Sequence, residues 1–471
     1  MILISAYQKN REEMKMGKVK KLLALGIVCS MLLAGCGGKE NTAAPEGTAT
    51  DNSVQTEAEQ EVQKNSGEKT TLRVAWWGST TRDQIYYKIN DLFMQEHPDV
   101  EIVTESPGWN DYWTAQSTAY ASGSAADVVQ FQSNQIGEYC SKNVLVPLDS
   151  YVENGTINLD NWNQGFVDTG KYNDELYMVS LGITAQALYV NETLLNELGM
   201  ELWPEDEDIT WSEFADYLGK VQEKLGPDTY AGFDFYTNND LVWVWIRENC
   251  EEGYEWLDKD GNFAPSEETL ASWYAYTDDL RKAGVFPGVE WTQEWNSKAW
   301  EEGALVNRKV LFYFENANKY KIYQNSMEDK LAIRKVPVGD NGKHGDLLIT
   351  SAFAISETSQ NKDLAAEYIN FFVNNEEAQK IFNMELGVPA SLTIQDMLAA
   401  DADPSDIAAT KYLNMVSEEA PPFVAKAPGV WAIQNEIASM AEQVAVGNMT
   451  AQDAAKYIRE IANEMIAENV N

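Results

Sequence analysis

Beyond residue 70, apolar positions fall alternately into strand and helix periods. Thr71–Trp77 (TLRVAWW) reads as a strand closed by the polar turn Gly78-Ser79-Thr80-Thr81. Arg82–Glu96 carries Ile85, Tyr86, Ile89, Leu92 and Phe93 at helical spacing, a single apolar stripe. His97-Pro98 stops that helix, and Val100–Thr104 is the next strand. Such a strand–helix–strand unit seeds a sheet with parallel members and ligand sites at strand ends. The pattern continues with a helix over Asp111–Ala121 and a strand over Asp127–Phe131. Leu176–Val179 and Ala187–Val190 read as strands on either side of Leu181-Gly182-Ile183-Thr184. Thr210-Trp211-Ser212-Glu213 is a capping box, whose Thr hydroxyl and Glu carboxylate satisfy amides left bare at a helix start. The helix it opens runs through Phe214, Leu218, Val221 and Leu225. Val310–Phe314 and Leu347–Ile355 are further strands, and Lys362–Val373 is a helix with an apolar stripe. Ala432–Val446 and Ala451–Glu468 are two closing helices, the second capped by Thr450-Ala451-Gln452-Asp453.

Ahead of residue 70 the pattern changes. Leu22–Leu33 is a brief apolar run behind Lys15, Lys18, Lys20 and Lys21, and it ends in Leu33-Ala34-Gly35-Cys36. A basic start, a short apolar stretch and small residues at the cut describe a secretory signal peptide. The run is well short of the ~20 residues needed to span a bilayer. Leu-Ala-Gly-Cys resembles the lipobox of bacterial lipoproteins, which implies that Cys36 takes a diacylglyceryl group and becomes the first mature residue. Residues 1–35 are therefore expected to be a signal peptide, with Met1–Glu13 an extension upstream of Met14 or Met16. Lys39–Lys69 is rich in Glu, Thr, Ala, Gly, Ser and Gln and nearly free of large apolar side chains. It buries too little to offset its ordering entropy, so residues 36–70 are expected to be a lipidated cysteine and a disordered spacer. The remaining stretch, about 400 residues, exceeds what one core usually serves, so two or more domains are expected.

Composition narrows the function. A net charge of −39, from 74 acidic and 35 basic residues, argues against nucleic acid and against an anionic membrane surface. Of four cysteines, Cys29 lies in the signal peptide and Cys36 is the lipid site. Cys140 and Cys250 are expected as two buried thiols rather than a disulfide. The two histidines, His97 and His344, stand beside no Ser or Cys signature. The chain has no G-x-S-x-G elbow, no phosphate loop, no dinucleotide fingerprint and no closely spaced zinc ligands. Asp258–Phe263 (DKDGNF) lacks the later ligands of a calcium loop and reads as an Asp-Gly hairpin turn. No catalytic residue, metal or cofactor is thereby implied, although paired carboxylates of a glycosidase could hide among so many acids. All fifteen tryptophans lie beyond the spacer. Most belong to a core, but a tryptophan face also suits the apolar C–H face of a sugar.

The order of segments resembles the extracellular solute-binding proteins of ABC transporters, of the maltodextrin and multiple-sugar binding lipoprotein type. The likeness rests on Leu72–Gly78 with Phe93 and His97-Pro98; Trp109-Asn110-Asp111-Tyr112-Trp113 leading to Ala121-Ser122-Gly123 and Asp127-Val128-Val129; Leu145-Val146-Pro147-Leu148-Asp149; and Gly182 through Tyr189-Val190-Asn191-Glu192. It continues in Thr210–Phe214, Ala354-Ile355-Ser356, Ala365–Ile369, and Gly447–Thr450 with Asp453-Ala454-Ala455. The resemblance implies an α/β, two-lobed, periplasmic-binding-protein-like (type II) fold with a hinge and an interlobe ligand cleft. Lobe one is expected over 71–182 and 349–393, and lobe two over 183–348 and 394–471. Closure would hinge about Leu181–Thr184 and Leu348–Ser351, and ligand would shift an open–closed equilibrium.

Carried over residue by residue, the resemblance implies ligand contacts just after strand ends. Trp76, Trp77 and Gly78 end the first strand, and the two tryptophans point to opposite faces, so only one reaches the cleft. Trp109, Gln132, Asn134, Thr184, Gln186, Asn238, Asn239, Glu315 and Asn316 follow, with Trp431 as a stacking platform. Asp127 is expected to pin its strand and Trp300 to be core. Many relatives carry an acidic residue about where Gln132 stands. An anionic sugar would want Arg or Lys in the cleft, and this set offers none. The expected function is non-enzymatic: a carbohydrate, most simply an oligosaccharide, is captured and delivered to ABC permease subunits. The protein is expected to be an exported monomer on the outer face of the cell membrane, touching the bilayer through its lipid anchor only. The alternatives are the same fold with another solute (a polyol, a uronate-containing oligosaccharide or a peptide) and a secreted carbohydrate-active enzyme.

Overall fold

Strands drawn from distant parts of the sequence make two sheets. In chain order they are β1 (Thr70–Ala75), β2 (Val100–Glu105), β3 (Val128–Gln132), β4 (Lys171–Tyr172), β5 (Glu175–Leu176), β6 (Val179–Thr184), β7 (Gln186–Asn191), β8 (Tyr230–Gly232), β9 (Val310–Asn316), β10 (Leu331–Arg334) and β11 (Ile349–Ile355). The computed structural model describes residues 69–250 and 255–470. Cys36, its lipobox and the spacer up to residue 68 lie outside the described residues. The first sheet has the order β2-β1-β3-β11-β6, and the second β10-β7-β9-β8, with β4 and β5 a separate pair. β1 runs parallel to β2 and β3, and β11 antiparallel to β3 and β6. In the second sheet β7 is antiparallel to β9 and β10, and β8 is parallel to β9.

Side-chain alternation along β1 shows how the first sheet buries both faces. Leu72, Val74 and Trp76 join Tyr86 and Phe93 of the helix Thr80–Glu96 and Tyr368 and Phe372 of the helix Lys362–Asn374. Ala75 and Trp77 face the other way, onto Tyr112, Phe131 and Tyr139. The second sheet has its own core, in which Tyr189, Val310 and Leu331 meet Tyr320, Tyr323 and Tyr412. Each sheet with its helices is one lobe of an α/β, two-lobed molecule.

Only Ala185 separates β6 from β7, so the chain leaves the first sheet through Thr184-Ala185-Gln186. It returns at β11, where Ile349 stands opposite Thr184, Thr350 opposite Ile183 and Ser351 opposite Gly182. The two crossings therefore lie side by side as a paired ribbon. A third segment joins them: the Ile183 amide donates to the Val388 carbonyl at 2.8 Å, and the Val388 amide to Ile183 at 2.9 Å. Leu181–Thr184, expected as a connector, is strand. All six residues of β6 are buried, so no alternation marks it in the sequence.

Other expectations meet the structure in detail. The capping box forms, with the Glu213 amide donating to Thr210 Oγ1 at 3.2 Å and the Thr210 amide to Glu213 Oε2 at 2.8 Å. Asp258 Oδ1 accepts the Asp260 and Asn262 amides, and Leu257 pairs with Phe263, so DKDGNF is a turn. Asp127 pins its strand, accepting from the Arg73 amide and the Ser359 hydroxyl. Cys140 and Cys250 form no disulfide. Trp300, expected as core, is instead 42% exposed, in the short 3₁₀ turn Trp300–Glu302. Trp243-Val244-Trp245 lies inside the helix Asn239–Asn249, whose residues 241–248 are all buried and so show no stripe. Among the described residues no helix is long and apolar enough to cross a membrane.

Two glycines allow the crossing segments to meet. A Cβ at Gly182 would stand 2.8 Å from Gly387 N, and one at Gly387 2.2 Å from the Ile183 carbonyl oxygen. Gly387 also has φ +126°, where an L side chain is strained. Gly387→Ala is expected to lower stability by about 2 kcal/mol or more, because backbone atoms must move on both sides. A urea midpoint unchanged from wild type would contradict this packing.

Candidate ligand-binding cleft

At the end of the crossing ribbon, side chains from several strand ends converge. Gln186 opens β7 directly opposite Asn316 at the end of β9. Gln186 Nε2 donates to Asn316 Oδ1 at 3.0 Å, and Asn238 Nδ2 donates to Gln186 Oε1 at 3.1 Å. Asn238 also caps the helix Asn239–Asn249, its Oδ1 accepting from the amides of Asp240 and Leu241. Thr184 Oγ1 donates to Asn318 Oδ1 at 3.3 Å and accepts from the Asn318 amide. Gln186, Asn238 and Asn316 thus form one amide-rich cluster, and Thr184 beside it is tied to Asn318. Glu315 stands within β9, not after it, with Oε1 accepting from the Asn316 amide at 2.8 Å. Burial raises its pKa, while that amide and Lys319 act the other way.

On the first lobe, Trp109 is the first residue of the helix Trp109–Ser122 and is 41% exposed. Its ring meets Trp77 at 5.1 Å and Trp113 at 5.4 Å between centroids, both edge to face. Trp77 is buried behind it, so Trp109 alone of these three presents an exposed ring. Trp76, expected as a ligand contact, is corrected to core: it is fully buried, stacks on Tyr86 at 4.7 Å and donates its indole N–H to Asp83. Alternation put the two tryptophans on opposite faces, but both faces of this sheet are covered. Gly78 is tied to the neighbouring loop through its amide, which donates to Pro107 at 2.9 Å. Gln132, half-buried at the end of β3, stands opposite Ser351 of the crossing ribbon. Asn134 Oδ1, Gln135 Oε1 and Asn239 Oδ1 are buried acceptors with no protein hydrogen-bond partner. Polar atoms so placed ordinarily find a partner.

Sequence reasoning missed the segment between the helices Pro404–Glu419 and Val430–Ala445. Arg247 donates to the carbonyls of Pro421 and Pro422, while Phe423 and Ala425 pack against the Trp77–Tyr112 cluster of the first lobe. This strap thereby touches both lobes. It carries Lys426, 3% exposed, whose ammonium lies 4.0 Å from the Trp243 ring centroid and 5.3 Å from that of Trp431. Lys426 donates to Gln434 Oε1, and Gln434 Nε2 donates to the Asn239 carbonyl at 3.2 Å. Trp431 itself is 38% exposed. The one signal in the sequence was a lysine isolated in an apolar, proline-rich run, PPFVAKAPG.

A cavity of about 520 Å³ opens where the loop after β1 faces the end of β9. Ser79, Arg82 and Glu385 line one side, and Trp300, Asn318 and Lys319 the other. Arg82 Nε and Nη2 donate to Glu385 Oε1 at 3.2 and 3.0 Å, and Nη1 donates to the Trp77 carbonyl. The Lys319 ammonium lies 4.0 Å from the Trp300 ring centroid. Burial pushes its pKa down; Glu315 opposes that and Arg82 adds to it. Cations are therefore present at the cleft, contrary to the expectation drawn from the candidate residues.

A metal finds less support. Asp208, His344 and Glu419 could offer ligand atoms within 4.8 Å of one another. The buried Lys335 ammonium already bridges Asp208 and Glu419, at 3.0 and 2.7 Å, and offsets one of their two charges.

The sequence profile of the family described as "Bacterial extracellular solute-binding protein" matches residues 77–379. Among solved structures, the chain is similar to an extracellular solute-binding protein family 1 from Alicyclobacillus acidocaldarius subsp. acidocaldarius DSM 446, at TM-score 0.67 and 23% identity over 85% of this chain and 100% of that one. It is also similar to an ABC substrate-binding protein from Listeria monocytogenes in complex with cycloalternan, at TM-score 0.70 and 18% identity over 85% and 100%. A third is a periplasmic oligogalacturonide binding protein from Yersinia enterocolitica in complex with saturated digalacturonic acid, at TM-score 0.71 and 21% identity over 86% and 100%. At these identities the likeness is one of fold.

Burial pushes the Lys426 ammonium down to about 7, against the pull of Asp240 and Glu255. An unfolded lysine keeps its proton to 10.5. Between those values the unfolded chain holds more protons, so this group makes stability rise with pH from about 7 to 10.5. Nitrogen NMR of the lysine side chains is expected to show one midpoint near neutrality that disappears in Lys426→Met. If every lysine titrates above pH 9.5, the two carboxylates outweigh burial.

Proposed function

Because the chain belongs to the bacterial extracellular solute-binding proteins, a family that binds solutes and is generally non-enzymatic, we propose that it captures a carbohydrate between its lobes and delivers it to the permease of an ABC importer. The observation that carries this reading is the pairing of an amide floor with exposed aromatic rings. Gln186, Asn238 and Asn316 are bonded to one another, and exchange of those bonds for sugar hydroxyls would suit their donors and acceptors. Trp431 stands next to that floor through Lys426, Gln434 and Asn239, and its exposed ring suits the C–H face of a pyranose. Trp109 offers a second ring from the first lobe. Gln132, Asn134, Thr184 and Glu315 complete the set of proposed contacts, and Trp76 leaves it.

In this reading residues 71–182 with 349–393 form the lobe of the first sheet, and 183–348 with 394–471 that of the second. Sugar would hold them closed, since only the closed form touches it from both sides. The structural neighbours in complex with cycloalternan and with digalacturonic acid support a glycan as ligand for this frame. An oligosaccharide fits better than a single sugar because the rings stand on separate elements. Cys36 would carry the lipid that keeps the binder beside its permease, with the acidic spacer giving it reach.

Incubated with a panel of mono- and oligosaccharides, the domain from residue 70 is expected to melt at a higher temperature with its ligand and to release no product. Turnover of any glycan would overturn the binding reading. Trp431→Ala is expected to weaken binding about tenfold with the fold intact, which is the scale of one lost ring contact. An unchanged affinity would show that the platform lies elsewhere. In cells, Cys36→Ser is expected to move the protein from the membrane fraction to the soluble one; retention in the membrane would contradict lipidation.

A further inference from the structure

Trp300 and Lys319 form a part of the cleft that the carbohydrate reading alone does not explain. Trp300 lies in a 3₁₀ turn ahead of β9 and leaves its ring 42% exposed, facing a cavity shared by both lobes. About 520 Å³ is within the range of ligand pockets, ~300–1,000 Å³. The Lys319 ammonium rests over that ring and has no carboxylate at ion-pair distance among the described residues. Of the cations around the cavity, Arg82 is paired with Glu385, and Lys321 is held by Asp403 and Asp406. Lys319 is thus the charge whose partner is missing. Across the cavity from it stand the Arg82 guanidinium and the start of the helix Thr80–Glu96, both positive. Ser79 Oγ, which caps that helix by accepting from the Arg82 amide, keeps its own proton to donate.

We propose that this cavity is an anionic subsite, which takes the carboxylate of a uronate unit at one end of the glycan, between Lys319 of the second lobe and the Ser79–Arg82 turn of the first. The inference rests on the carbohydrate reading and sharpens it to an acidic glycan. Lys319 swings from the Trp300 face to the carboxylate and frees that face for the sugar ring. Burial pushes the Lys319 pKa down, and a carboxylate beside it acts the other way. Because the two sides of the subsite belong to different lobes, the carboxylate favours closure directly. Glu315 and Glu385, the carboxylates nearest Lys319, set the selectivity: they oppose an anion that does not reach the ammonium.

Calorimetry with trigalacturonate, its fully methyl-esterified form and maltotriose tests the subsite. The wild-type protein is expected to bind the acid at least tenfold more tightly than the ester, which has the same sugar without charge. Lys319→Gln should abolish most of that difference and leave ester binding within twofold. Trp300→Ala, at an exposed position, should retain its melting temperature and weaken the acid severalfold. Equal affinity of acid and ester, or equal losses for both in Lys319→Gln, would overturn the anionic subsite. Binding of maltotriose alone would overturn it too while leaving the carbohydrate reading standing. Failure of every glycan would overturn both.

Discussion

Backbone contact where the chain passes between its sheets is the constraint on which the other features depend. β6 and β11 lie antiparallel there, and Val388 adds a third segment against Ile183. Gly182 and Gly387 face each other with no room for a Cβ, so the segments meet at backbone distance. That contact fixes Thr184 against Asn318 and Ser351 against Gln132, and so places the ends of β3, β7 and β9 in one region. A paired ribbon bends through small changes in a few dihedrals and does not unravel as a loop would.

A second recurring device is an ammonium group laid on an indole ring. Lys319 lies over Trp300 and Lys426 over Trp243. In both, burial lowers the pKa more than the nearby carboxylates raise it. An aromatic face stabilises a cation by roughly 0.5–2 kcal/mol, whereas breaking a buried ion pair costs about 3–5 kcal/mol because a bare charge is left behind. Such a cation is held in place yet remains available to a stronger partner. Arg82 differs, since Glu385 and the Trp77 carbonyl occupy its donors and make it part of the frame. Of the two ring-held ammonium groups, Lys319 lines the cavity, while Lys426 is buried and bonded to Gln434.

Most elements were legible in the sequence, the fully buried strands β7 and β11 among them, but β6 and the helix Asn239–Asn249 were not. The helix Thr80–Glu96 and the capped helix from Trp211 show stripes because one face meets water. β6 and the helix Asn239–Asn249 are buried on all sides and lose their period. Thr184, Gln186, Asn238 and Asn316 could be grouped in advance because ligand sites in α/β folds gather at strand ends, and the structure does bring Gln186, Asn238 and Asn316 into one hydrogen-bonded cluster. Trp76 and Trp300 exchanged roles for a related reason: pattern shows that neighbours face opposite ways, but not which face is covered. Lys319, Lys426 and Arg82 escaped notice because a charge in sequence reads as surface. Only tertiary structure shows three cations turned inward.

That inward turn alters the meaning of the net charge of −39. Taken alone, it suggests a molecule that repels anions. Charges on the surface act on a ligand through water and salt, where the screening length is about 8 Å at physiological ionic strength. A group in the cavity acts at contact and in a poorer dielectric, where the same charge counts for several times more. The acidic surface therefore slows the approach of an anionic ligand while the cavity decides whether it stays. Added salt then acts in opposite directions on the two steps, speeding encounter by screening the surface and weakening contact only slightly at Lys319. One unpaired cation within an acidic surface separates selectivity from capture rate, and the charge that matters for recognition is the local one.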